Sequence, residues 1–173
     1  MEDFEKLGQF YLGRKYNLST GQSEEDLVMY DSKDLVTHGI CVGMTGSGKT
    51  GLCIALLEEA AIDSIPAIVI DPKGDMANLL LTFPNLGTEE FLPWINGDDA
   101  ARADQSPAQF AAGQAETWKK GLAQWGQTAQ RIQKLRASAD FSLYTPGSTS
   151  GAPVSVLNSF ACPAATILED QEA

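Results

Sequence analysis

Apolar residues fall into two kinds of run along this chain. The short unbroken runs Ile40–Val42 and Ala67–Ile70 are too brief for a helix, end at Gly43 and Asp71, and predict buried strands. Between them, from Lys49 to Ile62, apolar residues occupy nearly every position, which predicts a helix buried on more than one side with Glu58 and Glu59 as its wet edge. Strand, helix and strand within about 32 residues make a βαβ unit, so the expected fold class is α/β with a mainly parallel sheet.

Flanking patterns are weaker. Residues 1–37 hold two short apolar runs, FYLGRKYNL and LVMYDS, around the polar stretch STGQSEED, and predict a small β-rich lead-in before a core spanning 38–173. The segment MANLLLTF is followed by the turn residues Pro84, Asn85 and Gly87, and residues 96–113 read as loop. From Ala115 to Ala137, Trp118, Leu122, Trp125, Ala129, Ile132 and Leu135 recur at spacings of 4, 3, 4, 3 and 3, one stripe of a long helix despite Gly121 and Gly126. This makes 94–140 a helical insertion, with Trp118 and Trp125 as packing anchors. Phe141–Tyr144 and Val154–Leu157 are further strand candidates on either side of TPGSTSGAP.

Between the first strand and the helix lies GMTGSGKT, residues 43–50, which satisfies G-x-x-x-x-G-K-[ST]. Gly46 and Gly48 allow backbone conformations closed to other residues, so that successive N–H groups can turn inward on an anion. Lys49 adds a full positive charge for the β and γ phosphates of a nucleoside triphosphate, and the Thr50 hydroxyl suits Mg²⁺. With this chain's composition a chance match is about 1%, and the strand-to-helix context is the one the motif requires. The candidate nucleotide contacts are Gly43, Thr45, Gly46, Ser47, Gly48, Lys49, Thr50 and Gly51, with Lys49 as the catalytic candidate. Asp71, at the carboxyl end of the second strand, is a candidate for Mg²⁺ or its water, set against a role as a turn residue before Pro72. Asp71-Pro72-Lys73-Gly74 also satisfies the D-x-x-G of GTPases, but no NKxD motif occurs, which disfavours guanine recognition.

Composition narrows the setting. Twelve Lys and Arg against 23 Asp and Glu give a net charge of −11, which repels nucleic-acid backbones unless the few cations are gathered in one place. The helix expected over 115–137 carries Lys119, Lys120, Arg131, Lys134 and Arg136, read as a solvated face in preference to a DNA contact. Three scattered cysteines without a CxxC pair point to reduced, inert thiols and a cytoplasmic setting, and the lone His38 to a hydrogen-bonded structural residue. No apolar run long enough for a membrane span occurs.

The wording HGICVGMTGSGKT, then AIVIDPKGD, with LGR upstream, resembles the HerA/FtsK group of P-loop ATPases, and most closely bacterial HerA-like ATP-binding proteins. The resemblance implies an additional-strand ATPase with a RecA-like core, ATP and Mg²⁺ as ligands, a homo-oligomeric ring, usually hexameric, acting on duplex DNA as a translocase or helicase, and a nuclease as partner. It also implies that the metal-binding carboxylate pair lies on a later strand than Asp71. No convincing pair of that kind occurs here: Ile167-Leu168-Glu169-Asp170 has the order reversed and a poor strand before it. The chain is therefore expected to be an N-terminal portion that binds ATP with negligible turnover alone. A small phosphotransferase of nucleotide-kinase type and a non-catalytic nucleotide-gated assembly module remain open as alternatives.

Overall fold

The computed structural model describes residues 6–155. The chain opens with a hairpin, β1 (Gln9–Asn17) antiparallel to β2 (Gln22–Asp31), in which Phe10 faces Tyr30 and Arg14 faces Leu27. Asn17 closes the turn: its side-chain oxygen accepts from the Ser19 and Thr20 amides, and its carbonyl from Gly21 N at 2.9 Å. Phe10 and Tyr11, adjacent in sequence and so on opposite faces of the strand, are both buried, because β1 is covered on both sides near its start.

After a short 3₁₀ turn over Ser32–Val36 come the glycine-rich loop 43–48 and then α1 (Lys49–Ile62). The helix ends where Ser64 takes a left-handed φ of 59°, with Ser64 N bonded to Ala61 O and Ile65 N to Ala60 O. Gly8 N donates to Asp63 Oδ2 at 2.8 Å, which ties the hairpin to this helix end. Four further helices follow: α2 (Thr88–Phe91), α3 (Gly97–Arg102), α4 (Pro107–Gln124) and α5 (Ala129–Ser138). A capping box starts α4, with Ser106 and Gln109 exchanging side-chain to backbone bonds and Pro107 at the first helical position. Phe91, Ala111 and Ala115 form a small core between α2 and α4, joined by Phe83, Leu92 and Ile95. Phe83 stacks on Phe91 at 4.3 Å, and Trp118 meets both rings edge-on at 5.8 Å.

Several expectations need correction. Among the described residues the sheet is the two-stranded antiparallel hairpin, not a mainly parallel sheet. The runs 38–43 and 66–71 form no ladder, and Ile40 and Ile68 are 89% and 94% exposed. A strand exists only when a neighbour takes its N–H and C=O groups, and no described segment does so for these two. The segment DMANLL, Asp75–Leu80, is a 3₁₀ turn, and residues 97–113 hold α3 and the start of α4 instead of a loop. The stripe over 115–137 is divided between α4 and α5. The chain turns at Gly126, whose φ is 70°, and restarts at Thr128, whose side chain caps the Arg131 amide.

Glu59 is also not a wet edge. It is 7% exposed and paired with Arg131 of α5, itself 8% exposed, while Gln127 accepts from the same guanidinium at 3.1 Å. Arg131 is thus withdrawn from the cationic surface expected over 115–137. Its neighbour Glu58 is half-buried, and burial raises its pKa above the ordinary carboxylate range.

The hairpin and all five helices belong to one compact unit, residues 1–140. The described part of the second unit, 141–155, is a turn fastened by Thr145: its amide bonds Ala152 O at 2.9 Å, and its hydroxyl accepts from Gly151 N and donates to Ser148 O. A single bridge, Tyr144 to Ala152, stands where Phe141–Tyr144 was expected as a strand. Val156 and Leu157 of the candidate strand Val154–Leu157, and Glu169-Asp170, lie outside the described residues.

Candidate nucleotide site

Residues 43–48 reverse the chain and deliver it into α1 through two left-handed glycines, Gly46 at φ 80° and Gly48 at φ 88°. Side chains with a Cβ reach these angles only with strain, so the loop shape is written in its glycines. Gly48 caps the helix through its backbone, its carbonyl accepting from Leu52 N at 3.0 Å, and no side-chain cap bonds the first amides. Those amides and the helix dipole together favour an anion.

Gly43 serves a different purpose. Its φ is ordinary, but an added Cβ would collide with Ser47 Oγ and lie 3.3 Å from Ser47 Cβ and 3.4 Å from Lys49 Cγ. The loop therefore closes on itself across Gly43. Ser47 N completes the turn onto Met44 O at 3.2 Å. Lys49, at the first helical position, swings back over the loop and donates from Nζ to Gly43 O and Met44 O, both at 2.6 Å. Met44 escapes a reading based on side-chain type because it contributes only its carbonyl. The second half of the close approach, Ser47 against Gly43, was marked in the sequence only by the spacing of the two residues.

Thr50 follows Lys49 into the helix and is half-buried; Thr45 and Ser47 are exposed in the loop. An added Cβ at Gly51 meets nothing within 4 Å, and its φ is not left-handed, so no local constraint requires glycine there. Asp71 lies elsewhere in the chain, and among the described residues no hydrogen bond joins it to residues 43–50. Its Oδ1 accepts from Lys73 N at 3.2 Å and its Oδ2 from Met76 N at 2.7 Å. These backbone bonds, Met76 first, hold the carboxyl below its usual pKa. Asp71 thus fastens the turn into the Asp75–Leu80 segment, and Lys73 pairs with Asp75.

Two neighbours behave differently from expectation. His38 is exposed and makes no hydrogen bond among the described residues, so it is not the bonded structural residue that was expected. Cys41 and Cys53 are free, half-buried thiols; burial pushes Cys53 up, assisted by the adjacent Cys41.

Residues 43–50 carry the wording of P-loop NTPases and enter the N-terminus of a helix, although among the described residues no laddered strand precedes them. The chain belongs to the HerA family: the model of that family described as Helicase HerA, central domain, matches residues 17–120, more than half of the chain. No curated protein and no solved structure gives a significant match. No helix among the described residues is long and apolar enough to cross a membrane.

Proposed function

We propose that this chain is the MgATP-binding part of a HerA/FtsK-type ATPase, which in its full assembly, a cytoplasmic homo-oligomeric ring, moves along or unwinds duplex DNA with a nuclease as partner. The observation that carries the reading is the phosphate loop: two left-handed glycines, a helix N-terminus without a side-chain cap, and the Lys49 ammonium folded over the loop. In this reading the amides from Thr45 to Gly51 and the Lys49 ammonium surround the β and γ phosphates. Lys49 exchanges the carbonyls of Gly43 and Met44 for phosphate oxygens, which carry full negative charge where a carbonyl carries a partial one.

Thr50 and Asp71 are hard oxygen donors of the kind Mg²⁺ takes, and the described residues hold no cluster of three or more His, Cys, Asp or Glu. That donor set fits a cation that keeps several waters and completes its shell with phosphates. Mg²⁺, when bound, neutralises charge on the phosphates. Asp71 retains acceptor capacity beyond its two amide bonds, enough to hold a metal-bound water. Thr50 presents its hydroxyl one residue beyond the lysine.

Titration of ATP with Mg²⁺ into the parent chain and Lys49→Ala tests the assignment. The variant should fold normally and lose about 100-fold or more in affinity, roughly 2.7 kcal/mol. Unchanged affinity would overturn it. Phosphate release by the chain alone should be negligible, with or without duplex DNA, because trans-acting arginine fingers alone are worth about 10³–10⁵ in rate. Turnover that disappears in Lys49→Ala would show instead that these residues form a complete enzyme.

A further inference from the structure

A cavity of about 710 Å³ lies between the hairpin and the α4–α5 connection, and none of residues 43–50 lines it. Its size is that of a small-molecule site, roughly 300–1,000 Å³. Arg14 and Trp125, two of its walls, also lie outside the stretch matched by the family model.

Two of the protein's cations stand in its wall. In a chain of net charge −11, Lys15, Lys73, Arg102 and Arg131 each have a carboxylate partner. Arg14 and Lys119 both line the cavity, and neither side chain makes an ion pair or hydrogen bond among the described residues. Arg14 Nε is buried without an acceptor. A buried donor left unsatisfied destabilises the fold, and an anion entering the cavity would relieve it. Glu25 lines the same cavity but forms no ion pair with either cation, so no carboxylate among the described residues neutralises them.

Three other features define what the anion would be attached to. Helix α5 begins at the cavity: Thr128 and Ala129 line it, and among the described residues the amides of Ala129 and Gln130 have no acceptor, Thr128 being engaged with Arg131. Those amides and the helix dipole add to the attraction of Arg14 and Lys119 for one compact anion. Trp125, 47% exposed, offers an indole face in the same wall. Glu25 opposes a run of several phosphates but accepts hydrogen bonds from hydroxyls, which a sugar carries.

We propose that this cavity binds a single phosphate joined through a hydroxylated spacer to a planar ring, the chemistry of a nucleoside monophosphate. Arg14, Lys119 and the start of α5 hold the phosphate, and Trp125 stacks on the ring. It is a second site, separate from the phosphate loop.

The test uses the whole chain carrying Lys49→Ala, so that the phosphate loop does not contribute. AMP, adenosine, inorganic phosphate and a 5′-phosphorylated dinucleotide are titrated by calorimetry and tryptophan fluorescence. AMP or the dinucleotide should bind saturably in the micromolar to low millimolar range. The tighter of the two identifies the source as a free nucleotide or a strand end. Lys119→Gln, on an exposed position of α4 that leaves the fold undisturbed, should weaken binding about tenfold, as should Arg14→Gln. Trp125→Leu should remove the fluorescence response and weaken AMP while sparing inorganic phosphate. Absence of saturable binding by both phosphorylated probes, or binding that Lys119→Gln leaves unchanged, would overturn the proposal. So would AMP binding that appears only when Lys49 is present, since that belongs to the phosphate loop.

Discussion

At its first residue α1 carries Lys49, whose ammonium rests on two backbone carbonyls in an exposed loop; about three turns later the same helix carries Glu59, buried against Arg131. The first arrangement is built from partners five and six residues away, the second from a partner 72 residues away. One end is therefore specified by local wording and the other by the tertiary fold. The loop end should govern ligands with little effect on folding, and the buried end should govern folding with little effect on ligands.

The largest effect is expected at the buried end. Glu59→Leu leaves the Arg131 guanidinium buried without its carboxylate and should cost about 3–5 kcal/mol in urea unfolding, while the folded fraction still binds ATP normally. Adding Arg131→Met should recover most of the loss. A single variant as stable as the parent would mean that the pair does not hold α5 on α1. Next comes Gly43→Ala, which places a methyl group against Ser47 and should lower ATP affinity about 100-fold with little change in the urea midpoint. If its stability fell as far as that of Glu59→Leu, the separation between the two ends would fail. Thr50→Ala should weaken ATP about tenfold in Mg²⁺ and hardly at all in EDTA; equal losses in both would remove Thr50 from the metal.

The smallest effect belongs to Glu58, beside Glu59. Burial raises its folded pKa, so its favourable contribution is present below the ordinary carboxylate pKa of about 4.3 and is lost as pH rises through the folded value. Glu58→Gln should thus raise the melting temperature slightly at pH 7 and leave it unchanged below about pH 4. A difference of the same size at both pH values would show that packing, not charge, is responsible.

The same division explains what could be read from the sequence. The bounds of α1 and the glycine-built turn of the loop were legible because Gly46, Gly48 and Lys49 act there through immediate neighbours. Glu59 was misread because helical periodicity tells which face a residue occupies but not that Arg131 arrives to cover it. The 115–137 stripe ran on through a real break because the apolar spacing continues across it, although Gly126 and Thr128 carried the stop and start signals. The two unladdered runs, 38–43 and 66–71, have the composition of strands, but composition does not supply the partner that a ladder needs. The cavity beside α5 had no linear signature, since Arg14, Lys119 and Trp125 meet only through the fold.

Resting on Gly43 and Met44, the Lys49 ammonium already occupies oxygen ligands before any phosphate arrives. On the proposed function, nucleotide capture would be an exchange of one oxygen shell for another within a loop whose backbone is already in shape, and little ordering would accompany it. The association rate should accordingly be set by diffusion and by release of the lysine, with a single kinetic phase linear in nucleotide concentration and no slower isomerisation following it.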